Sequence, residues 1–344
     1  MINLFVSAIV FGTVILYGAL GEIITEKSGN LNLGVPGIMY MGGIAGLASS
    51  FAYENAVAEP NAMVCILISF LAAFLAAALG GLIYSFLTIT LRANQNVTGL
   101  TLTIFGGGIA NFFGGALNTL AGGVGQISIA ATSSAYRTSI PGMGTGNWFC
   151  QIFLSHGFMV YLAIILAIGV HFFLNKTRTG LNLRAVGENP ATADAVGINV
   201  TRYKYLATCL GAGISGMGGL YYTVDYVKGT WGSEGTIEAL GWLAVALVIF
   251  ASWKSFRAIW GAYLFGFLNW LYLYVPQLRE MLIEAFGLEE DALQILNLTR
   301  SSQELFKMLP YVATILVLVI VSLRKKRDNQ PPAHLGLPYF REER

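Results

Sequence analysis

Charge is scarce in this chain of 344 residues: only 11% are Asp, Glu, Lys or Arg, against about 25% in soluble domains. That shortage excludes an ordinary water-facing surface. Cysteine is scarcer still. Cys65, Cys150 and Cys209 stand far apart without a C-x-x-C pair, so no disulfide framework or thiolate metal site is expected. His156, His171 and His334 are isolated, with no H-E-x-x-H or comparable spacing. No G-x-x-x-x-G-K-[ST] phosphate loop occurs, so the chain has no such loop with which to bind ATP. No catalytic residue, metal site or cofactor is expected. The net charge of +2 is sorted along the chain rather than pooled, and no nucleic-acid partner is expected.

What is present is apolar. Hydrophobic residues make up 55% of the chain and glycine occurs 41 times, with a mean hydropathy of +0.64. Several uncharged runs reach the roughly 20 residues that cross a bilayer core as helix. They are continuous rather than alternating, so helices and not a barrel must span. The expected fold is an all-α polytopic membrane protein. Nine spans, some short or broken, are placed at about 2–21, 34–52, 62–91, 97–117, 156–174, 204–224, 237–251, 258–275 and 307–323. The first run lacks a basic preceding region and reads as a retained span rather than a cleaved signal.

Lys and Arg set the orientation. With the polar loop 175–204 in the cytoplasm, Lys27, Arg92, the loop's own cations, Lys254, Arg257 and the 324–327 cluster all fall inside. Only Arg137, Lys228, Arg279, Arg300 and Lys307 fall outside. The N-terminus is therefore expected outside and the C-terminus in the cytoplasm of a bacterial cell. The chain divides into a membrane domain, 1–324, and a basic, Pro-containing tail, 325–344, expected to be flexible. Two longer outer segments are 118–155, rich in Gly, Ser and Thr, and 276–306, which has the periodicity of an amphipathic helix.

Inside the loop a compact helix is spelled out by its ends. Asn189 is a good N-cap, Pro190 suits the first helical position, and Gly197 stands where a left-handed terminator belongs. The spacing fits either an element presented to a partner or an ordinary surface helix.

Two apolar segments are interrupted. Gly34, Pro36 and Gly37 break Ser28–Gly43, and Gly229, Gly232 and Gly235 precede the short run that ends Val227–Leu247. Broken segments in corresponding places of two halves point to a transport path and an inverted internal repeat. Close helix packing explains the same glycines. Carboxylates are nearly absent from mid-span, which argues against a proton relay or a sodium site. Glu22 is expected near a span end. Neutral amides such as Asn32, Asn96 and Asn111, with aromatics nearby, suit a neutral hydrogen-bonding solute that stacks. Hydrogen bonds between helices and aromatic packing explain the same residues.

Three stretches then resemble a known family. GLNLRAVGENPATADAVGINVTRYK (180–204) closely resembles the cytoplasmic loop of ABC-importer permeases for branched-chain amino acids, simple sugars and nucleosides. EKSGNLNLGVPGIMYMGG (26–43) and LRANQNVTGLTL (91–102) are similar to segments of its nucleoside branch. Pro36 replaces that branch's usual acidic residue, and the later broken segment keeps its pattern only loosely.

The resemblance implies that residues 187–197 form a coupling helix. It seats in a separate ATPase subunit through Glu188, Asn189, Pro190, Ala193, Asp194 and Gly197. It also implies a second, related permease chain, an external substrate-binding lipoprotein, and a lipid-embedded path lined by Asn32, Gly34, Pro36, Gly37, Asn96 and Asn111. The expected cargo is a nucleoside or similar neutral solute. Riboflavin, a simple sugar, an amino acid, or an ion-gradient carrier of another class are the alternatives.

Overall fold

The computed structural model describes residues 2–120, 127–139, 147–231, 235–286, 305–324 and 329–341. Each of the nine expected spans is a helix. In chain order they are α1 (Ile2–Lys27), α2 (Val35–Ala56), α3 (Ala62–Ser85), α4 (Gln95–Leu120), α7 (Phe158–Lys176), α10 (Val200–Tyr221), α11 (Thr236–Phe250), α12 (Ser255–Phe286) and α13 (Leu309–Arg324). Among the described residues, six helices are long and apolar enough to cross a membrane, and α11 and α13 include shorter apolar stretches. Between the spans lie α5 (Ala130–Arg137), α6 (Trp148–Phe153), α8 (Arg178–Glu188) and α9 (Pro190–Ala195).

The centre is α1. It packs against α7, α10, α11 and α12, and every residue from Phe11 to Glu26 is buried. Small residues permit that enclosure. A Cβ on Gly21 would stand 2.1 Å from the Gly211 carbonyl of α10, so the two backbones touch as they do wherever small residues draw membrane helices together. Helix α10 packs in turn along α2 and α3. Both α3 and α10 end in a five-residue π turn, Phe86–Thr90 and Tyr222–Tyr226.

Three expectations need correction or extension. The 175–204 loop is helical through most of its length: Thr177 caps α8 by accepting the Gly180 N–H at 3.0 Å, a helix not anticipated there. The tail is docked rather than flexible over 329–341. It meets open carbonyls: His334 N–H donates to Gly187 at 3.0 Å and Gly336 N–H to Gly29 at 3.2 Å. At the opposite end of the bundle, the start of the expected amphipathic helix 276–306 is a continuation of α12 through Pro276 to Phe286, and 287–304 lies outside the described residues. Gly232 and Glu234 also lie outside them. In segment 118–155, α5 is fixed by the Glu54 carboxylate, which accepts the Thr132 N–H at 2.7 Å.

Candidate functional site

Helix α9 is built from its caps. The Asn189 side chain accepts the Thr192 N–H at 3.0 Å, and Pro190 occupies the first turn. At the other end Gly197 has φ +88°. Ile198 N–H reaches the Ala193 carbonyl and Gly197 N–H the Asp194 carbonyl, both at 3.0 Å. That is the paired closure a left-handed glycine allows. One flank is anchored, because Ala193 packs with Val186 and Val200 in a small buried cluster joined by Ile198, Tyr203 and Tyr339. The other flank is open. Glu188, Asn189, Thr192, Ala195 and Gly197 are exposed, and Val196 is 72% exposed.

The tail ties this helix down from the side. Asp194 accepts the Tyr339 hydroxyl at 3.0 Å and faces Arg341 at 3.2 Å. Glu188 accepts the Ala333 N–H at 3.4 Å. Arg341 is 74% exposed, so its ion pair contributes little, and the backbone bonds of His334 and Gly336 also hold the tail. The sequence held no local signal for this contact.

The path residues divide into two groups. Asn32 is buried, and its Oδ1 accepts the Gly34 N–H at 2.9 Å, turning the chain into α2, where Pro36 sits in the first turn. Gly34 and Gly37 press on α4: a Cβ on Gly37 would stand 2.2 Å from the Leu102 carbonyl. Pro36 meets Gly241 of α11, whose Cβ would lie 2.5 Å from the Pro36 Cα. The helices of the two broken segments therefore meet there. Asn96 and Asn111 are exposed on the far side of α4, roughly 60° apart around the helix axis at 3.6 residues per turn. The six residues do not converge on one space within this chain. Gly34 and Gly37 serve packing, and Asn96 and Asn111 form part of an outer face.

Two carboxylates were missed. Glu22 and Glu26, one helical turn apart, are both buried because α1 runs to Lys27 and carries them inside the bundle. Glu22 accepts the Asn32 N–H at 3.0 Å, and Glu26 accepts the indole N–H of Trp253. They lock the α1–α2 link to the start of α12. The available signals were two acids four residues apart after an apolar run and the place of Glu26 at the head of the family-like stretch 26–43.

Comparison with known proteins identifies the family. Residues 4–318 match the family described as the branched-chain amino acid transport system / permease component. The chain is 32% identical to a putative glucose ABC transporter permease protein of Haloferax volcanii, over 96% of this chain and 95% of that one. It is 30% identical to the guanosine ABC transporter permease protein of Bacillus subtilis, over 98% and 96%. A nucleoside ABC transporter permease protein of Lactococcus lactis is 29% identical over 91% and 90%. No solved structure matches the chain. With its bundle of apolar helices, the chain belongs to the branched-chain amino acid transport permease family and is a non-catalytic, multi-pass membrane component of an ABC transporter.

Proposed function

We propose that this chain is one permease of an importer for nucleosides or a similar neutral solute, with the 175–204 face in the cytoplasm and the C-terminus on the same side. ATP is hydrolysed by a separate subunit that seats on residues 187–197. A second, related permease completes the path, and an external substrate-binding lipoprotein delivers the solute. The observation that carries this reading is α9: capped at both ends, anchored along Ala193, and presenting Ala195 and Val196 outward. A helix held in this way transmits displacement rather than absorbing it. The guanosine and nucleoside relatives favour a nucleoside, while the Haloferax relative named for glucose makes a sugar the second reading.

The matching π turns after α3 and α10, in opposite halves of the chain, support an inverted repeat. Glu22 and Glu26 are buried in the last two turns of α1, near a span end as expected for Glu22, and family membership adds to the argument against a gradient-driven carrier.

The test is Gly197→Pro in the assembled transporter. Proline requires φ near −65°, whereas Gly197 has φ +88°. The variant inserts normally, yet solute-stimulated ATPase falls to the unstimulated rate. Normal stimulation and normal uptake overturn the docking assignment. Competition of labelled guanosine uptake by unlabelled nucleosides and by glucose separates the two cargo readings.

A further inference from the structure

Beside α9 lies a cavity of about 690 Å³, enclosed by the start of α10, the π turn after α3 and the tail. That volume falls within the range of about 300–1,000 Å³ typical of small-molecule sites. Its charge is one-sided. Arg92, Arg202, Lys204 and Arg341 line it, and the one carboxylate among the lining residues, Asp194, already holds Tyr339 and Arg341.

Lys204 is the telling residue. It lines the cavity and is only 3% exposed as a residue, the burial falling on its stem, since its ammonium is not among the fully buried, unpartnered polar atoms of the described residues. Its influence extends to His334, whose imidazole is held below the usual range by burial and by the Lys204 charge. One buried polar atom beside the cavity lacks a partner. The Asn30 amide nitrogen donates to Thr208 Oγ1 at 3.1 Å, while its Oδ1 has no partner and Asn30 lines the same cavity. The N-terminal turn of the 22-residue α10 opens here as well, adding the positive end of a helix dipole.

We propose that this cavity binds a phosphate-bearing anion of nucleoside-monophosphate size. Lys204 and the first turn of α10 hold the phosphate. Because α9 forms one wall and the tail another, an occupant cross-links the two. The competing account is a hydrated lysine head on a buried stem, with water alone in the cavity. The proposal does not depend on the cargo or on the ATPase docking.

The experiment places the full-length chain in phosphatidylcholine nanodiscs and measures radiolabelled GMP binding by equilibrium dialysis. GMP binds saturably, inorganic phosphate competes and guanosine does not. Lys204→Met weakens binding at least about tenfold, the loss expected for a charge-assisted contact. Arg202→Gln, at the exposed rim, weakens it less and guards against a Lys204 variant that fails to fold. Phosphatidylglycerol in the discs distinguishes the sources: if it displaces GMP, the phosphate group is a lipid headgroup, and if it does not, the ligand is a free nucleotide. Absence of saturable GMP binding overturns the proposal. So does binding that neither Lys204→Met nor Arg202→Gln changes, or competition by guanosine as strong as that by phosphate.

Discussion

Helices α3 and α4 are built alike on the inside and differently on the outside. Inward, both carry small residues: Ser69, Ala73, Ala77 and Gly80 on α3, and Gly99, Gly106, Ala110 and Gly114 on α4. These admit α10 and α2 at backbone distance. Outward, α3 is a ladder of Met63, Leu67, Leu71, Leu75 and Leu79 at four-residue spacing. Lipid tails are as apolar as leucine, so that ladder needs no protein partner. The outer face of α4 mixes Ile104 and Phe112 with Thr101, Asn111 and two glycines, Gly108 and Gly115, that touch nothing within 4 Å. Exposed amides and bare backbone suit lipid poorly, and polar groups at membrane depth face protein or a water-filled path. Exposure alone does not separate these two surfaces, but their chemistry does. The α4 face is where we place the second permease.

Four substitutions break or sharpen that contrast. Gly37→Leu strikes the shared inner design. Its Cβ would stand 2.2 Å from the Leu102 carbonyl, beyond the 1–3 kcal/mol range usual for overpacking (about 3 kcal/mol or more). Most folded protein is lost in fluorescence-detected gel filtration, and wild-type recovery would show that α2 and α4 are not pressed together. Leu75→Arg places a charge in the α3 ladder, at a cost of about 3 kcal/mol on insertion scales. A glycosylation-reporter insertion assay reads it, and unchanged insertion would mean that this face is not in lipid. Asn111→Leu makes the α4 face resemble α3. Yield holds, whereas uptake and co-purification of a second permease fall about tenfold, or roughly 1.4 kcal/mol. Unchanged pairing and uptake would make α4 another lipid face. The smallest effect is expected from Leu71→Ile, within about 0.5 kcal/mol and with uptake intact. A lost phenotype there would reveal a partner on α3.

The legible parts of the chain were those set by local rules. The α9 caps at Asn189, Pro190 and Gly197 depend on neighbours within a few residues, and the spans depend on run length. Gly34 and Gly37 are placed on the path by the sequence, with packing as the alternative, and the sequence could not show how closely both press on Leu102 of α4. The docked tail could not be foreseen, because it rests on backbone donors meeting the Gly187 and Gly29 carbonyls from far along the chain. Burial of Glu22 was hidden for a related reason. Hydropathy places a carboxylate at a span end unless its partners are known, and Glu22 is answered by the Asn32 amide, with Trp253 serving its neighbour Glu26.

The enclosure of α1 imposes an order on manufacture. Helix α1 precedes the other described helices in the chain and is buried from Phe11 to Glu26, and its neighbours α10, α11 and α12 belong to the second half of the chain. Until Trp253 has been translated, Glu26 lacks the indole that receives it. A nascent chain halted before α10 therefore presents an unsheathed first span with two acids on it, a target for membrane quality-control proteases. Late frameshifts in the gene would thus remove the whole polypeptide rather than leave a stable stump.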